Sequence, residues 1–179
     1  ANNSALGDVA QSLTLFNGKI YVVVNNSGKV EVLDAKTAVI MASIKGLRSP
    51  RYFLPLGNGK AYVSDLYANA INVLDLNNNT ATGSISCAGW TEEMALCAGK
   101  VFVCNMKRKQ LYIVDPALDA IVDSVSIGYG ANSLQQDKNG KLWVLSGGGT
   151  NDSALLQRIH PATAQVEQTF VFPSGSPQH

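Results

Sequence analysis

The sequence carries almost no net charge, since 14 Lys and Arg balance 13 Asp and Glu to give a formal charge of +1 at pH 7. A protein held to nucleic acid by neutralising phosphates needs a strong positive field, so nucleic acid is not expected as a partner. The sequence also lacks any apolar run of about 18 residues. Residues 1–20 lack the basic start and apolar stretch of a signal peptide. We expect neither a membrane span nor an uncleaved signal peptide.

Residues suited to catalysis are scarce. Histidine occurs only at His160 and His179. Nucleophile-elbow, zinc-protease and Walker motifs are missing. The glycine-rich segment SGGGTND, residues 146–152, lacks the Gly-Lys-Ser or Gly-Lys-Thr ending of a phosphate-binding loop. We therefore expect a protein without catalytic residues and without a cofactor.

Cysteine is rare and occurs in an odd number. The three residues, Cys87, Cys97 and Cys104, fit no zinc-binding spacing. Unpaired cysteines in β-rich segments most often behave as small buried hydrophobic side chains. The sequence predicts that role here.

A repeat of about forty residues organises the chain. Four Gly-Lys pairs begin at intervals of 41, 40 and 41 residues, at Gly18, Gly59, Gly99 and Gly140. An aromatic residue follows each Lys by two positions, at Tyr21, Tyr62, Phe102 and Trp143. Thirteen residues further on stands an aspartate, at Asp34, Asp75 and Asp115. In the fourth copy this position comes four residues later and holds His160, so we interpret residues 146–153 as a lengthened loop.

Each copy contains short β-rich runs divided by Gly, Asn, Asp or Pro, and none has helical spacing. A period of about 40 to 45 residues with four strands is typical of a β-propeller blade, a small antiparallel sheet that stacks on its neighbours. Runs such as YVVV and VFVC are apolar on both faces, as strands between two blades should be. The sequence predicts an all-β propeller with four four-stranded blades, at about residues 10–46, 50–87, 91–128 and 131–172.

The recurring polar residues have structural roles in this interpretation. Asn17-Gly18 and Asn58-Gly59 predict two-residue hairpin turns, because such turns need positive φ angles that Asn and Gly tolerate. The aspartates of the repeat precede turn segments such as AKT and LNNNT. Their carboxylates are therefore expected to accept hydrogen bonds from the next backbone amides.

Several segments resemble the YVTN-type propellers, a family of surface-layer-like and quinoprotein-like bacterial repeats. YVSD at residues 62–65 and FVCN at residues 102–105 resemble its Tyr-Val-Thr-Asn signature, and YVVV and WVLS do so more loosely. VEVLD, INVLD and LYIVD are similar to its Val-x-Val-Ile-Asp element, and IKGLRSP to its Gly-x-x-Pro blade junction. Val24 departs from the polar ending of the signature. The resemblance covers nearly the whole chain and implies an exported protein, periplasmic or at the cell surface.

The blades at both ends of the chain are expected to have uncovered faces. Residues 6–13 align with residues 127–134, so the chain starts within the outer strand of an earlier blade. An open face of stacked apolar side chains is unstable in water, so further blades or a second chain should cover it. The resemblance favours a segment of a seven-bladed ring. An eight-bladed ring of two chains and a closed four-bladed ring are the alternatives.

Alternating strand direction places the junction loops between blades at the same end as the loops between the second and third strands of each blade. These loops vary between copies, as recognition loops do. Aromatic and arginine side chains there offer flat surfaces and fixed donors to a large polar ligand. The candidate ligand-binding residues are Arg48, Arg51, Tyr67, Trp90, Glu92, Tyr129 and Asn132. The basic triplet at residues 107–109 is interpreted as a solvated hairpin tip.

Three functions remain open. The first is non-enzymatic recognition of a small-molecule ligand; because one branch of similar surface propellers binds cobalamin, the resemblance suggests a corrinoid. The second is a metal-dependent, lactonase-like hydrolase whose divalent cation would be held by Asp65, Glu92, Asn105 and Asn132. The third is a scaffold that binds a protein partner.

Overall fold

The computed structural model describes residues 5–173, which form sixteen β-strands and no helix. His179 lies outside the described residues. The chain divides after Ala88 into two compact units. Each unit holds two antiparallel four-stranded sheets, and the strands of every sheet are paired in chain order. The predicted all-β propeller architecture of four four-stranded blades is therefore confirmed.

The first unit contains blades 1 and 2. Blade 1 consists of β1 (Ala10–Phe16), β2 (Lys19–Val24), β3 (Lys29–Asp34) and β4 (Ile40–Lys45). Blade 2 consists of β5 (Pro50–Gly57), β6 (Lys60–Asp65), β7 (Ala70–Asp75) and β8 (Thr80–Ser86).

The second unit contains blades 3 and 4. Blade 3 consists of β9 (Thr91–Cys97), β10 (Lys100–Asn105), β11 (Gln110–Asp115) and β12 (Ala120–Ser126). Blade 4 consists of β13 (Ala131–Gln136), β14 (Leu142–Ser146), β15 (Ala154–His160) and β16 (Gln165–Phe172). The lengthened loop predicted in the fourth copy lies between β14 and β15.

The first hairpin of each blade follows the turn chemistry of its sequence. Asn17 and Gly18 have φ angles of 46° and 70°, and Asn58 and Gly59 have φ angles of 50° and 74°, as a two-residue primed turn requires. The first hairpin of the fourth blade is different, because Asp137 begins a longer turn. Its carboxylate accepts the backbone N–H groups of Asn139 and Lys141. The two predicted Asn-Gly turns are confirmed.

The repeat aspartates close the hairpin between the third and fourth strands of their blades. The Asp34 Oδ1 atom accepts the Thr37 N–H at 2.8 Å and the Lys36 N–H at 3.0 Å. Asp75 and Asp115 accept backbone N–H groups two residues ahead, each at 2.8 Å. The predicted structural role of these three carboxylates is confirmed.

These hydrogen bonds predict loss of stability in acid. The pKa of Asp34 is lowered by the Thr37 backbone N–H, that of Asp75 by the Asn78 side chain, and that of Asp115 by Lys100. Because a lowered pKa stabilises the folded protein only while the carboxylate is ionised, this stability is present above about pH 4 and is lost as pH falls through the folded-state pKa values. We expect denaturant midpoints to fall between about pH 5 and pH 3.

The matched variant replaces all three aspartates by Asn, which keeps the turn acceptor but does not titrate in this range. Its midpoint should fall less over the same pH interval. An equal fall in the variant and the wild type would contradict the assignment of acid sensitivity to these turns.

The core of the first unit lies between blades 1 and 2. The rings of Tyr21 and Phe53 are stacked with centroids 4.3 Å apart and planes 10° from parallel. Buried aliphatic side chains surround them: Val23, Val30, Val32, Ala61, Val63 and Leu74. The hydroxyls of Ser12 and Thr14 donate to the carbonyls of Arg51 and Phe53 at 2.7 and 3.1 Å. Blades 1 and 2 are thus joined by apolar packing and, at their innermost strands, by hydrogen bonds.

The core of the second unit lies between blades 3 and 4. Its buried members include Phe102, Cys104, Leu111, Leu134, Val144 and Ile159. The Glu93 carboxylate accepts the Ser133 hydroxyl and the Leu134 N–H, both at 3.0 Å, and so links β9 to β13.

The cysteines pack as the sequence predicts. All three are buried free thiols. Burial raises the pKa of Cys87 to about 12. The pKa of Cys104 is also raised, by burial and by the nearby carboxylates of Glu93 and Glu92. Because the thiolate is the reactive form, these side chains are structural rather than nucleophilic.

Large apolar side chains are exposed on the first and last strands of the chain. Leu13 and Leu15 on β1 are each 67% exposed, and Phe170 and Phe172 on β16 are 44% and 42% exposed. No helix in residues 5–173 is long and apolar enough to cross a membrane.

Candidate ligand-binding site

In blade 2, one buried carboxylate organises the end of the blade where the junction loop arrives. Asp65 ends β6, and its Oδ2 atom accepts the backbone N–H groups of Arg48 and Ser49 at 3.2 and 2.9 Å. Its Oδ1 atom accepts those of Tyr67 and Ala68, each at 3.0 Å. The junction loop and the loop after the second strand therefore lie at the same end of this blade, as the strand order predicts.

In blade 4, backbone hydrogen bonds hold the junction loop against the loop after the second strand. The Gly147 N–H donates to the Gly130 carbonyl at 3.0 Å, and the Gly148 N–H donates to the Tyr129 carbonyl at 2.9 Å. Gly130 has a φ of 77°, and a Cβ atom there would lie 2.8 Å from the Gly148 carbonyl oxygen. The close approach of the two loops therefore requires glycine at position 130.

A surface cavity of about 190 Å³ lies among the junction loops of the second unit. It is formed by the junctions that precede β9 and β13, together with the loops that follow β10 and β14. Its lining residues are Trp90, Met106, Lys107, Tyr129, Gly130, Asn132, Gly147 and Gly148. Three of the seven predicted site residues, Trp90, Tyr129 and Asn132, are thus brought together.

The cavity is lined by one cation and by no carboxylate. The Lys107 Nζ atom lies 4.0 Å from the centroid of the Trp90 ring, in a cation–π contact. The Lys109 ammonium pairs with the Asp152 carboxylate at 2.5 Å and so links the loop after β10 to the loop after β14. Among the residues that line the cavity, the charge is therefore positive and is carried by Lys107.

The other predicted residues do not line the cavity. Glu92 is 0% exposed, so its carboxylate has no surface to offer a ligand. Arg48, Arg51 and Tyr67 belong to the first unit. Arg48 is exposed, Tyr67 is 51% exposed, and the Arg51 Nη1 atom donates to the Gln11 side chain at 2.5 Å. A ligand-binding role for these three residues stays a prediction.

The four side chains considered as metal ligands have different surroundings. The Asp65 carboxylate is used by the backbone amides described above, and the buried Asn105 side chain accepts the Lys107 N–H at 2.9 Å. Asn132 is exposed in the cavity, and Glu92 is buried. Within residues 5–173, no three His, Cys, Asp or Glu side chains are grouped so that they could hold a metal ion. The hydrolase alternative stays a prediction.

Sequence reasoning missed part of this cavity. Lys107 was interpreted as part of a solvated tip; the residue is exposed, and its ammonium also contacts the Trp90 ring. Met106 carried no signal beyond its position after a strand. The glycines at positions 147 and 148 were seen as a lengthened loop, and their signal was the four-residue insertion itself.

Solved structures similar to this chain show the same fold. The hydrazine synthase of Kuenenia stuttgartiensis superposes with a TM-score of 0.80 at 14% identity, over 87% of this chain and 46% of that one. The Pan2 WD40 domain of Neurospora crassa gives 0.73 at 14% identity, over 91% and 52%. Virginiamycin B lyase of Staphylococcus aureus gives 0.74 at 12% identity, over 91% and 55%. The chain thus spans about half the length of these proteins, and at such identities the likeness shows the β-propeller fold alone.

Comparison by sequence identifies the family of the chain. Among curated proteins, no sequence matches the chain significantly. One family model matches residues 1–176, nearly the entire sequence. The chain therefore belongs to the family described as a domain of unknown function, DUF5074.

Proposed function

We propose that this chain is a non-enzymatic recognition module of an exported or surface-displayed bacterial protein, and that it binds its ligand in the cavity around Trp90. The observation that carries the proposal is the meeting of Trp90, Tyr129 and Asn132, from two separate blade junctions, on one cavity. Ligand sites in proteins are typically concave, with aromatic walls and a few polar groups that fix orientation.

The cavity favours a ligand that enters only in part. Its volume of about 190 Å³ is below the range of roughly 300 to 1,000 Å³ that is usual for enclosed small-molecule sites. A corrinoid, the ligand suggested by the resemblance to YVTN-type propellers, would place one peripheral group in the cavity and leave the rest over the surrounding loops.

The lining residues support a binding role rather than catalysis. They supply aromatic surface from Trp90 and Tyr129 and an amide from Asn132, the groups that typically hold and orient a polar ligand. Lys107 is exposed and in contact with an aromatic ring.

The exposed apolar strands support a larger assembly. Leu13 and Leu15 on β1, and Phe170 and Phe172 on β16, would be covered if further blades extended the propeller on either side. The resemblance favours a seven-bladed ring, and a second chain is the alternative cover.

A protein partner is the second candidate. Tyr67 is 51% exposed and Arg48 is exposed, and the Asp65 carboxylate fixes the loops of both at one end of blade 2. Tyrosine and arginine are enriched at protein interfaces.

The ligand proposal predicts that Trp90→Ala weakens binding. The test titrates the protein with cobalamin, cobinamide and a panel of neutral and acidic sugars and follows binding by isothermal titration calorimetry. Ligand concentrations reach about 1 mM; a dissociation constant of that size corresponds to a standard binding free energy of about −4 kcal/mol. The wild type should bind at least one of these probes. Trp90→Ala should weaken that binding at least tenfold, because it removes the largest aromatic surface of the cavity.

Trp143→Phe is the matched control, since Trp143 does not line the cavity and its Nε1–H donates to Asp137 at 3.0 Å. Binding should be unchanged in this variant. Absence of binding by every probe, or equal affinity in Trp90→Ala and the wild type, would overturn the proposed site.

A further inference from the structure

We infer that the group entering the Trp90 cavity is an anionic sugar residue, carrying a carboxylate or a phosphate. This inference rests on the proposed function and specifies the chemistry of its ligand.

The charge follows from Lys107. Its ammonium is held over the Trp90 ring at 4.0 Å, and the residues that line the cavity with it include no acid. Within residues 5–173, the structure records ion pairs of Lys29, Lys100, Lys109, Lys141 and Arg158, and none of Lys107. An ammonium held at a concave surface without a carboxylate partner attracts an anion.

The neighbouring charges act in the same direction. Lys107, Arg108 and Lys109 carry three positive charges on the loop after β10, and Lys109 pairs with Asp152, so this loop and its acidic partner carry two net positive charges. A carboxylate or phosphate near Lys107 therefore meets a net positive charge. A cationic ligand would be repelled by it.

The shape and polarity of the cavity favour a sugar ring. A volume of about 190 Å³ is below the roughly 300 to 1,000 Å³ that is usual for small-molecule sites, so it suits a single ring rather than a whole large cofactor. Trp90 and Tyr129 line the cavity and supply aromatic surface against which the C–H side of such a ring can pack, and the Lys107 ammonium lies over the Trp90 ring beside it. The exposed Asn132 amide both donates and accepts, and so suits hydroxyl groups.

The experiment compares four probes by Trp fluorescence: glucose, glucuronate, glucose 6-phosphate and benzoate. In the wild type at low salt, glucuronate or glucose 6-phosphate should bind about fivefold more tightly than glucose, the effect of one partly exposed charge pair. The preference should shrink at about 0.5 M salt, where screening is strong. The two anionic sugars tell a carboxylate from a phosphate, and benzoate tests whether an anion on a flat apolar ring is sufficient.

Lys107→Met keeps most of the side-chain length and removes the charge, so it should abolish the preference and leave glucose binding intact. Lys138→Met is the matched control, because Lys138 is an exposed lysine of the same unit that lies in the first hairpin of blade 4 and does not line the cavity. It should keep the preference. Equal binding of glucose and both anionic sugars in the wild type would overturn the inference while leaving the proposed site standing. Benzoate binding as tight as that of the anionic sugars would overturn the sugar part, and no response to any probe would count against the site itself.

Discussion

Replacing Asp65 by Ala is expected to lower the free energy of unfolding by about 3 to 5 kcal/mol. The side chain is 0% exposed, and its two oxygens accept four backbone N–H groups from two different loops. Removing the carboxylate leaves these donors buried without their acceptor, and each such group costs about 1 to 3 kcal/mol unless the loops move to reach water. Equilibrium unfolding in urea measures the change.

Asp75→Ala is the matched control, because Asp75 ends the next strand of the same blade but its carboxylate serves an exposed turn. Its cost should be about 1 kcal/mol or less. If Asp65→Ala were no more destabilising than Asp75→Ala, the buried carboxylate would not be the group that holds the junction loop in place.

Replacing Tyr21 by Ala is expected to cost about 3 to 5 kcal/mol, the usual range for deleting a large buried aromatic side chain. Tyr21 is 2% exposed and stacks on Phe53 of the adjacent blade, so its loss leaves a cavity in the contact between blades 1 and 2. Thermal unfolding should report a fall in midpoint of roughly 2 to 4 °C for each kcal/mol lost.

Two further tyrosine variants separate the packing of the buried ring from the effect of its hydroxyl and from the effect of removing an exposed tyrosine. Tyr21→Phe keeps the stacked ring and should cost no more than about 1.5 kcal/mol. Tyr67→Ala removes a tyrosine that is 51% exposed in the same unit and should change stability by no more than about 0.5 kcal/mol. A loss in Tyr67→Ala as large as that in Tyr21→Ala would mean that stacking between blades is not what the structure depends on.

The fold could be predicted because the residues of the repeat determine local structure through short-range interactions. The Asn17-Gly18 turn needs positive φ at both residues, and the sequence supplies the two residue types that tolerate it. The aspartate that ends the third strand bonds to amides only two or three residues away, so short-range chemistry was sufficient to assign its role. Strands that are apolar on both faces then indicated that each blade packs between neighbouring blades.

The candidate site could be predicted only in part, because its contacts span different loops. Strand direction placed Trp90 and Tyr129 at the same kind of loop, and the structure brings both to one cavity. Strand direction gives no information on where a long side chain points, so the contact between the exposed Lys107 ammonium and the Trp90 ring could not be predicted. Glu92 follows Trp90 by only two residues, yet it lies within β9 and is buried.

Asp65 shows a further limit of sequence reasoning. A carboxylate at the end of a strand near variable loops is compatible with a metal ligand. It is also compatible with a group that ties two loops together. Only the positions of the Arg48, Ser49, Tyr67 and Ala68 amides distinguish these roles, and those positions depend on how the junction loop folds back over the strand.

The most direct test of ligand binding at the Trp90 cavity is a two-dimensional ¹⁵N–¹H NMR titration that follows the indole N–H signals of the two tryptophans. The account predicts that adding glucuronate or glucose 6-phosphate shifts the Trp90 signal in a saturable way and leaves the Trp143 signal in place. A saturable shift of Trp143 with Trp90 unmoved, or no shift of either signal with these sugars, cobalamin or cobinamide, would contradict it.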